Sequence, residues 1–235
     1  MSVEKFEEMT ITTTEQPTHE LEKKFHLTGD VCLTIHTKSA YSLFDGTWKY
    51  QEMGLLQFAE LMRNLCFAAR KDDPYAESYL LKTYDAILAM HKDIQKIESY
   101  CAQQLTQVRG FEVPVFSNTQ FHKKALRFYT PFSYMGARLI ADLDYTLRQA
   151  YSLKQMGILL DRDKLPARLM PKIRMLFGLA RRWHYHGITR KDVLENNQIA
   201  QRAKTDMGDI SAAVLQKKIR FVFLPRPLWQ SYLEK

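Results

Sequence analysis

Val31-Cys32-Leu33-Thr34-Ile35-His36-Thr37-Lys38 is the stretch on which the fold turns. Val31, Leu33 and Ile35 alternate with Cys32, Thr34, His36 and Lys38, so apolar and polar side chains fall on opposite faces. Period two with β-branched residues marks a strand buried on one side. Residues 39–44 read as a short helix, ended by Asp45-Gly46. After a loop with Trp48 and Tyr50, Gly54 precedes a helix through Arg70. Its apolar residues Leu55, Phe58, Leu61, Met62 and Leu65 keep helical spacing.

Outward from that core the chain is mostly helical. Asp73-Pro74 is a helix start: an acidic N-cap, then proline where no intrahelical N–H is missed. Leu80, Tyr84, Ile87, Met90, Ile94, Ile97, Cys101 and Leu105 form one stripe on a long helix that packs or dimerises. Residues 110–118, with Gly110 and Pro114, break the pattern and mark a candidate boundary. A second strand follows in Ala125-Leu126-Arg127-Phe128-Tyr129-Thr130. Pro131 then precedes a helix over about residues 134–156, stopped by Gly157. Pro166 and Pro171 bracket the start of another helix, running to about Tyr185. Thr189-Arg190-Lys191-Asp192 resembles a capping box with Asp for the usual Glu, opening a helix toward Asp206. Ile219, Phe221 and Phe223 alternate as in a short terminal strand. The expected class is therefore mainly α with short β-strands (α+β).

The two strand–helix openings look alike. Leu33-Thr34-Ile35-His36-Thr37 with Tyr41 parallels Leu126-Arg127-Phe128-Tyr129-Thr130 with Tyr134, by chance or because the strands play similar roles.

Charge divides the chain. Residues 1–120 carry 12 Lys/Arg against 17 Asp/Glu, a net of −5, and residues 121–235 carry 22 against 9, a net of +13. Such asymmetry points to a polyanion-binding half joined to an acidic one, the bland alternative being a solvated basic face. Residues 1–28 read as a disordered polar tail, 29–110 as strand, two helices and long helix, and 111–235 as a basic region that packs with them or stands apart. No window nears the ~18 apolar residues that span a bilayer, and the amino terminus is acidic where a secretory signal is basic. The expected location is the cytoplasm, without membrane contact. Cys32, Cys66 and Cys101 are odd in number and widely spaced, which fits a reducing compartment.

Catalytic chemistry finds little support. The sequence holds no phosphate loop, serine elbow, paired-cysteine zinc signature or HExxH. His184 and His186 form the only tight histidine pair and lack further ligands, so no metal and no cofactor is expected. Asp142 with Asp144, and Asp161 with Asp163, have no base in register. The chain reads as no enzyme.

What does carry content is two strands with polar faces, each followed by a helix. A two-stranded ribbon fits the DNA major groove, and one strand per monomer suffices if two monomers pair antiparallel. Strand, short helix, loop and longer helix over residues 31–70 is the order of a ribbon–helix–helix unit, in which N–H groups near residues 54–56 can hold a phosphate. The alternative is an ordinary α+β domain whose strands pair internally. Residues 31–38 are one candidate ribbon, with Thr34 and His36 toward bases and Lys38 and Lys49 on phosphate. Residues 123–130 are the rival, favoured by charge, with Lys123, Arg127 and Tyr129 on one face and Lys124 adjacent. Arg127 is best suited to bidentate guanine contact.

Several strings then read together: Ala68-Ala69-Arg70, Asp72-Asp73-Pro74-Tyr75-Ala76 with Leu80-Leu81, Thr130-Pro131 with Tyr134, Gly136-Ala137, Leu139-Ile140-Ala141-Asp142 and Gly187-Ile188-Thr189-Arg190-Lys191-Asp192. Over roughly residues 29–225 they resemble AcaB-type transcriptional activators of conjugative transfer, encoded on integrative and conjugative elements and IncC-type plasmids. That resemblance implies a ribbon–helix–helix unit for dimerisation and DNA binding, embedded in a helical domain. It also implies a homodimer activating promoters of transfer regulators on double-stranded DNA, with RNA polymerase as a further partner. One departure stands out: instead of a Gly-x-Ser/Thr turn, a loop from Asp45 to Gly54 joins the first two helices. Two other function classes stay open. One is an accessory protein of the conjugation machinery, contacting partners through the Tyr84–Leu105 stripe. The other is a single-strand or RNA binder using Trp183, Tyr185 and Trp229.

Overall fold

A computed structural model describes residues 31–46, 52–107, 114–158 and 164–216. The polar tail, Trp48, Lys49, Tyr50, Gly110, Asp161, Asp163, the 219–223 alternation and Trp229 lie outside the described residues.

The opening stretch forms strand β1 (Val31–Ile35), then α1 (Lys38–Asp45) and α2 (Leu55–Arg70). Long helix α3 (Pro74–Gln107) precedes strand β2 (His122–Leu126) and α4 (Pro131–Gln155). Then come α5 (Lys164–Phe177), α6 (Arg190–Leu194), α7 (Gln198–Met207) and α8 (Ala212–Leu215). Among the described residues the fold is mostly helical with one small antiparallel sheet, β1 against β2. No helix among the described residues is long and apolar enough to cross a membrane.

The strands pair with each other inside the chain. Val31 lies opposite Leu126, Cys32 opposite Ala125, Leu33 opposite Lys124, Thr34 opposite Lys123 and Ile35 opposite His122. The likeness between the two strings acquires a geometric meaning here. Leu33 follows Cys32, and Leu126 follows Ala125, so equivalent residues run in opposite directions from the Cys32–Ala125 pair. Each string also ends on a threonine that caps the next helix. The Thr37 hydroxyl accepts from the Ala40 N–H at 3.3 Å, and that of Thr130 accepts from the Ser133 N–H at 3.4 Å.

β2 lies earlier than its own alternation suggests. Its ladder stops at Leu126 because the partner of Leu126 is Val31, the first residue of β1. Phe128 then turns onto the Tyr134 ring, 5.4 Å between centroids, and Thr130 is committed to the cap. Pro131 therefore starts α4 rather than preceding it by a turn.

The core joins both halves of the sequence, running from Leu33 and Ile35 through α2, α3 and α4 to Phe177, Trp183 and Val214. Leu55, Phe58, Met62 and Leu65 of α2 are fully buried. Burying such a side chain gains roughly 1.5–3 kcal/mol, far above the tenths that propensity offers, so tertiary packing holds α2. Gly136 lets α4 approach closely, since a Cβ there would stand 3.0 Å from both Leu55 Cδ1 and Phe58 Cε1. On the far side of α2, Phe58 stacks on Phe177 at 4.8 Å. The Tyr84 stripe is spent inside the chain: Tyr84, Ile87, Ile94 and Cys101 are buried, and Cys101 packs on Ala150 and Leu153 of α4. That removes its buried portion as a partner surface.

The Asp72-Asp73-Pro74-Tyr75-Ala76 string is a structural joint. Asp73 caps α3, its Oδ1 accepting from Tyr75 N–H at 2.9 Å and Ala76 N–H at 3.0 Å. Asp72, at φ 65°, accepts the Arg190 N–H on its carbonyl at 3.0 Å and Arg190 Nε on its carboxylate at 3.2 Å. Arg190 Nη2 also meets Glu77 Oε2 at 2.5 Å, both side chains nearly sealed from solvent. The capping box closes as expected, Asp192 Oδ2 accepting from the Thr189 N–H at 2.7 Å. Its helix stops at Leu194, where Asn196 turns left-handed at φ 51° and Asn197 caps α7. Helix α5 likewise ends early, at Phe177, and holds Pro171 inside it.

Candidate nucleic-acid interface

The ribbon has an inner and an outer side. Inward, Leu33, Ile35 and Leu126 are buried. His122 stacks on Tyr41 of α1 at 4.1 Å, and the Lys124 ammonium lies over the Tyr41 and Phe44 rings at 5.3 and 5.5 Å. Outward, Cys32, Thr34, Lys123 and Ala125 are exposed. Phe121 and Arg127, just beyond the two ends of β2, are also exposed.

Of the residues singled out in the sequence, Thr34 and Lys123 are brought directly opposite one another. Arg127 is exposed just past β2, and Tyr129, 83% exposed, carries the Arg63 guanidinium 5.3 Å over its ring. His36 sits just past β1 with its ring 5.5 Å from Phe121. Lys38 is exposed at the first turn of α1. Lys124 is set apart from these, half-buried beneath the ribbon. Lys49 falls outside the described residues. The two rival ribbons are thus the two strands of one sheet within a single chain, the internal pairing of the ordinary α+β alternative rather than one strand from each of two monomers.

Three features had no local signal. Asp144 of α4, buried beside Leu143, accepts the Thr37 N–H at 2.7 Å and the His36 N–H at 3.1 and 3.2 Å. It thereby fastens the exit of β1 to α4, across more than a hundred residues of sequence. Residues 114–118 run along α4: the Ser152 hydroxyl donates to Pro114 O and accepts from Phe116 N–H, both at 3.0 Å. Arg148 Nε donates to Phe116 O. A cleft then opens between this segment, α4 and the start of α1.

The Gly54 N–H that opens α2 donates to Gln57 Oε1 at 3.2 Å, and nearby Glu52 pairs with Arg174 at 2.6 Å. Trp183 is buried, at 7% exposure, and is no exposed stacking platform. Among the described residues no three His, Cys, Asp or Glu side chains are grouped to hold a metal ion.

Comparison with known proteins fits this geometry. The crystal structure of selenomethionine-containing AcaB from uropathogenic E. coli is similar in fold, at a TM-score of 0.56 and 11% sequence identity, covering 81% of this chain and 98% of that chain. No curated protein matches the chain. A family model described as Transcriptional regulator AcaB matches residues 25–226, a span that holds both strands and every described helix. The chain belongs to the AcaB family of transcriptional regulators.

Proposed function

We propose that this chain binds double-stranded DNA through the outer face of the β1–β2 ribbon and activates promoters of conjugative-transfer regulators. The observation that carries the reading is the ribbon itself, with Thr34, Lys123 and Arg127 directed away from the core. A two-stranded ribbon matches the width of the major groove, where an arginine can meet guanine O6 and N7 with about 1–3 kcal/mol of discrimination. Lys38 is exposed beyond one end and Arg63 lies beside Tyr129 near the other, and in this reading both meet phosphates on either side of the groove.

Because one chain completes a ribbon, dimerisation serves spacing rather than assembly of the reading element. A homodimer presents two ribbons to half-sites about one helical turn apart, roughly 34–36 Å. Such a dimer departs from the usual ribbon–helix–helix arrangement, in which each chain gives one strand. Contact with RNA polymerase belongs to the same reading as an activator.

The test is a gel shift against duplexes from upstream of the element's own transfer regulators. Wild type is compared with Thr34→Ala/His36→Ala and Arg127→Ala/Tyr129→Ala, alongside size measurement of each. Both pairs of substitutions are expected to weaken binding to the preferred duplex. Unchanged binding by both folded variants, or equal wild-type binding to every duplex, defeats the proposal.

A further inference from the structure

The outer face of α2 carries two cation–ring pairs. The Arg63 guanidinium lies 5.3 Å over the Tyr129 ring, and the Lys71 ammonium, at the C-cap, lies 4.3 Å over the Phe67 ring. Neither ring serves the core: Tyr129 is 83% exposed and Phe67 55%. Arg63, Asn64, Phe67 and Tyr129 line a cleft of about 590 Å³ between α2 and the segment that leaves β2, with no carboxylate among the described residues that line it. Neither Arg63 nor Lys71 is in a salt bridge among the described residues. Asp72, next to Lys71, is held by Arg190. Glu60, exposed one turn nearer the start of α2, lies outside the cleft.

A lysine one turn after a phenylalanine shields the ring with its stem, which accounts for Lys71 locally. Arg63 has no such local reason, because it reaches from α2 to a residue distant in sequence. What both rings do is confine a long cationic side chain, so less freedom is lost when its charge meets an anion. Spacing then sets the kind of anion. From residue 63 to residue 71 a helix rises about 12 Å. One small anion cannot bridge that distance, whereas a DNA strand sets a charge about every 3.4 Å of its axis. The face is also continuous with the ribbon, since Arg127 and Tyr129 are exposed in the segment that joins β2 to α4. A second copy of this chain seated here would instead have to desolvate both cations.

We propose that the outer face of α2, from Arg63 to Lys71, is a second duplex-contacting surface that grips the phosphate backbone beside the ribbon, with Tyr129 as the residue that positions Arg63. This deepens the DNA-binding reading above and rests on it. Arg63 and Lys71 meet different phosphates, and the Asn64 amide between them donates to the same backbone. Neither cation reads a base, so the face adds affinity for every duplex alike, while the ribbon supplies preference.

The experiment follows fluorescence anisotropy of two labelled duplexes of equal length against the full chain at about 50–200 mM salt. One duplex comes from upstream of the element's own transfer regulators and the other is unrelated. Arg63→Gln/Lys71→Gln should weaken both duplexes by at least about tenfold at the lowest salt and reduce the salt slope by about 2. Lys92→Gln/Arg202→Gln, at exposed cations of α3 and α7, removes the same charge and should change either affinity less than about twofold. Tyr129→Leu should weaken wild type by about threefold but leave Arg63→Gln nearly unchanged, because a positioning ring acts only through its arginine. Tyr129→Phe keeps the ring and should bind as wild type. An unchanged slope, an equal loss in the α3–α7 control, or a loss confined to one duplex overturns the proposal. A Tyr129→Leu loss that persists in Arg63→Gln overturns the positioning role. Sedimentation tests the other occupant: if Arg63→Gln/Lys71→Gln converts a dimer to monomers, the face belongs to a second copy and the duplex assignment falls. Thr34→Ala/His36→Ala runs alongside. If it binds like wild type while the α2 variant loses slope, the ribbon reading falls and this surface stands. The reverse removes this surface alone, and no wild-type binding to either duplex removes both.

Discussion

Asp144 is the side chain whose removal should tell most about how the ribbon is held. Asp144→Ala deletes the acceptor of two backbone N–H groups while sparing the surrounding apolar core. The Thr37 N–H is in a buried residue and bonds at 2.7 Å. A hydrogen bond to a charged group contributes about 1.5–3 kcal/mol, and an orphaned buried donor costs about 1–3 kcal/mol. The His36 N–H shares its hydrogen between two oxygens at 3.1 and 3.2 Å in a half-buried residue, so water replaces much of that contribution. The expected loss is about 2–4 kcal/mol, or a melting temperature lower by roughly 4–16 °C for a chain of this size. Asp144→Asn keeps one acceptor oxygen without the charge and should cost about half as much. Asp93→Ala provides the comparison. It breaks a solvated pair with Lys172 at 3.6 Å and should cost less than about 1 kcal/mol. Urea and thermal unfolding measure all three, and amide exchange at His36 and Thr37 reports the joint directly. An Asp144→Ala variant no less stable than Asp93→Ala, with unchanged exchange at both amides, would refute the reasoning.

Other expectations follow from the same geometry. Arg190→Met removes the guanidinium that faces buried Glu77 and should cost about 3–5 kcal/mol in urea unfolding, with much of it recovered in Arg190→Met/Glu77→Gln; equal loss in single and double variants contradicts this. Burial holds the Asp73 carboxyl above its usual value, against the opposing Ala76 and Tyr75 N–H groups, the Trp183 indole and His186. The folded state therefore keeps this proton more readily than the unfolded chain, and Asp73 contributes most below its ordinary value and loses that as pH rises through the folded one. Asp73→Asn preserves the cap without the charge, so its stability relative to wild type should rise with pH through that window, whereas Asp73→Ala should cost about 1–2 kcal/mol. A relative stability that falls with pH is the contrary result. Lys123→Ala should weaken duplex binding and reduce the salt slope by about 1, since Lys123 is exposed on the outer face. Lys124→Ala should instead cost about 0.5–2 kcal/mol of stability through lost contact with Tyr41 and Phe44; reversed phenotypes would contradict the assignment of faces.

Local physics made some of this legible in the residues alone. Alternation from Val31 to Ile35, the helical spacing between Gly54 and Arg70, Asp73-Pro74 and the Thr189–Asp192 box each act within a few residues. Pairing of β1 with β2 does not: neither strand says whether its partner lies in its own chain or another. The end of β2 is set by where β1 begins, and the break after Leu194 by Asn196 and Asn197, which a continuing charge pattern hides. Asp144 shows no base in register in the sequence, and its partners are backbone groups distant in sequence. Lys124 is only adjacent to the Lys123 face in the sequence, and the strand's alternation places it over aromatic rings. Trp183 beside two histidines suggested an exposed aromatic, but the core takes its ring.

Cys32 offers the most direct test of the ribbon as the DNA-reading element. It is exposed on the outer face opposite Ala125, whereas Cys66 and Cys101 are buried. Burial pushes the Cys66 thiol up to about 11 and raises that of Cys101, so both are silent toward a maleimide at neutral pH. The rate of Cys32 alkylation is measured with and without saturating promoter duplex. The account predicts that duplex slows labelling by about tenfold or more, and that prior labelling abolishes binding. Labelling of Cys32 at an unchanged rate in the saturated complex, with binding retained by the alkylated chain, would contradict it.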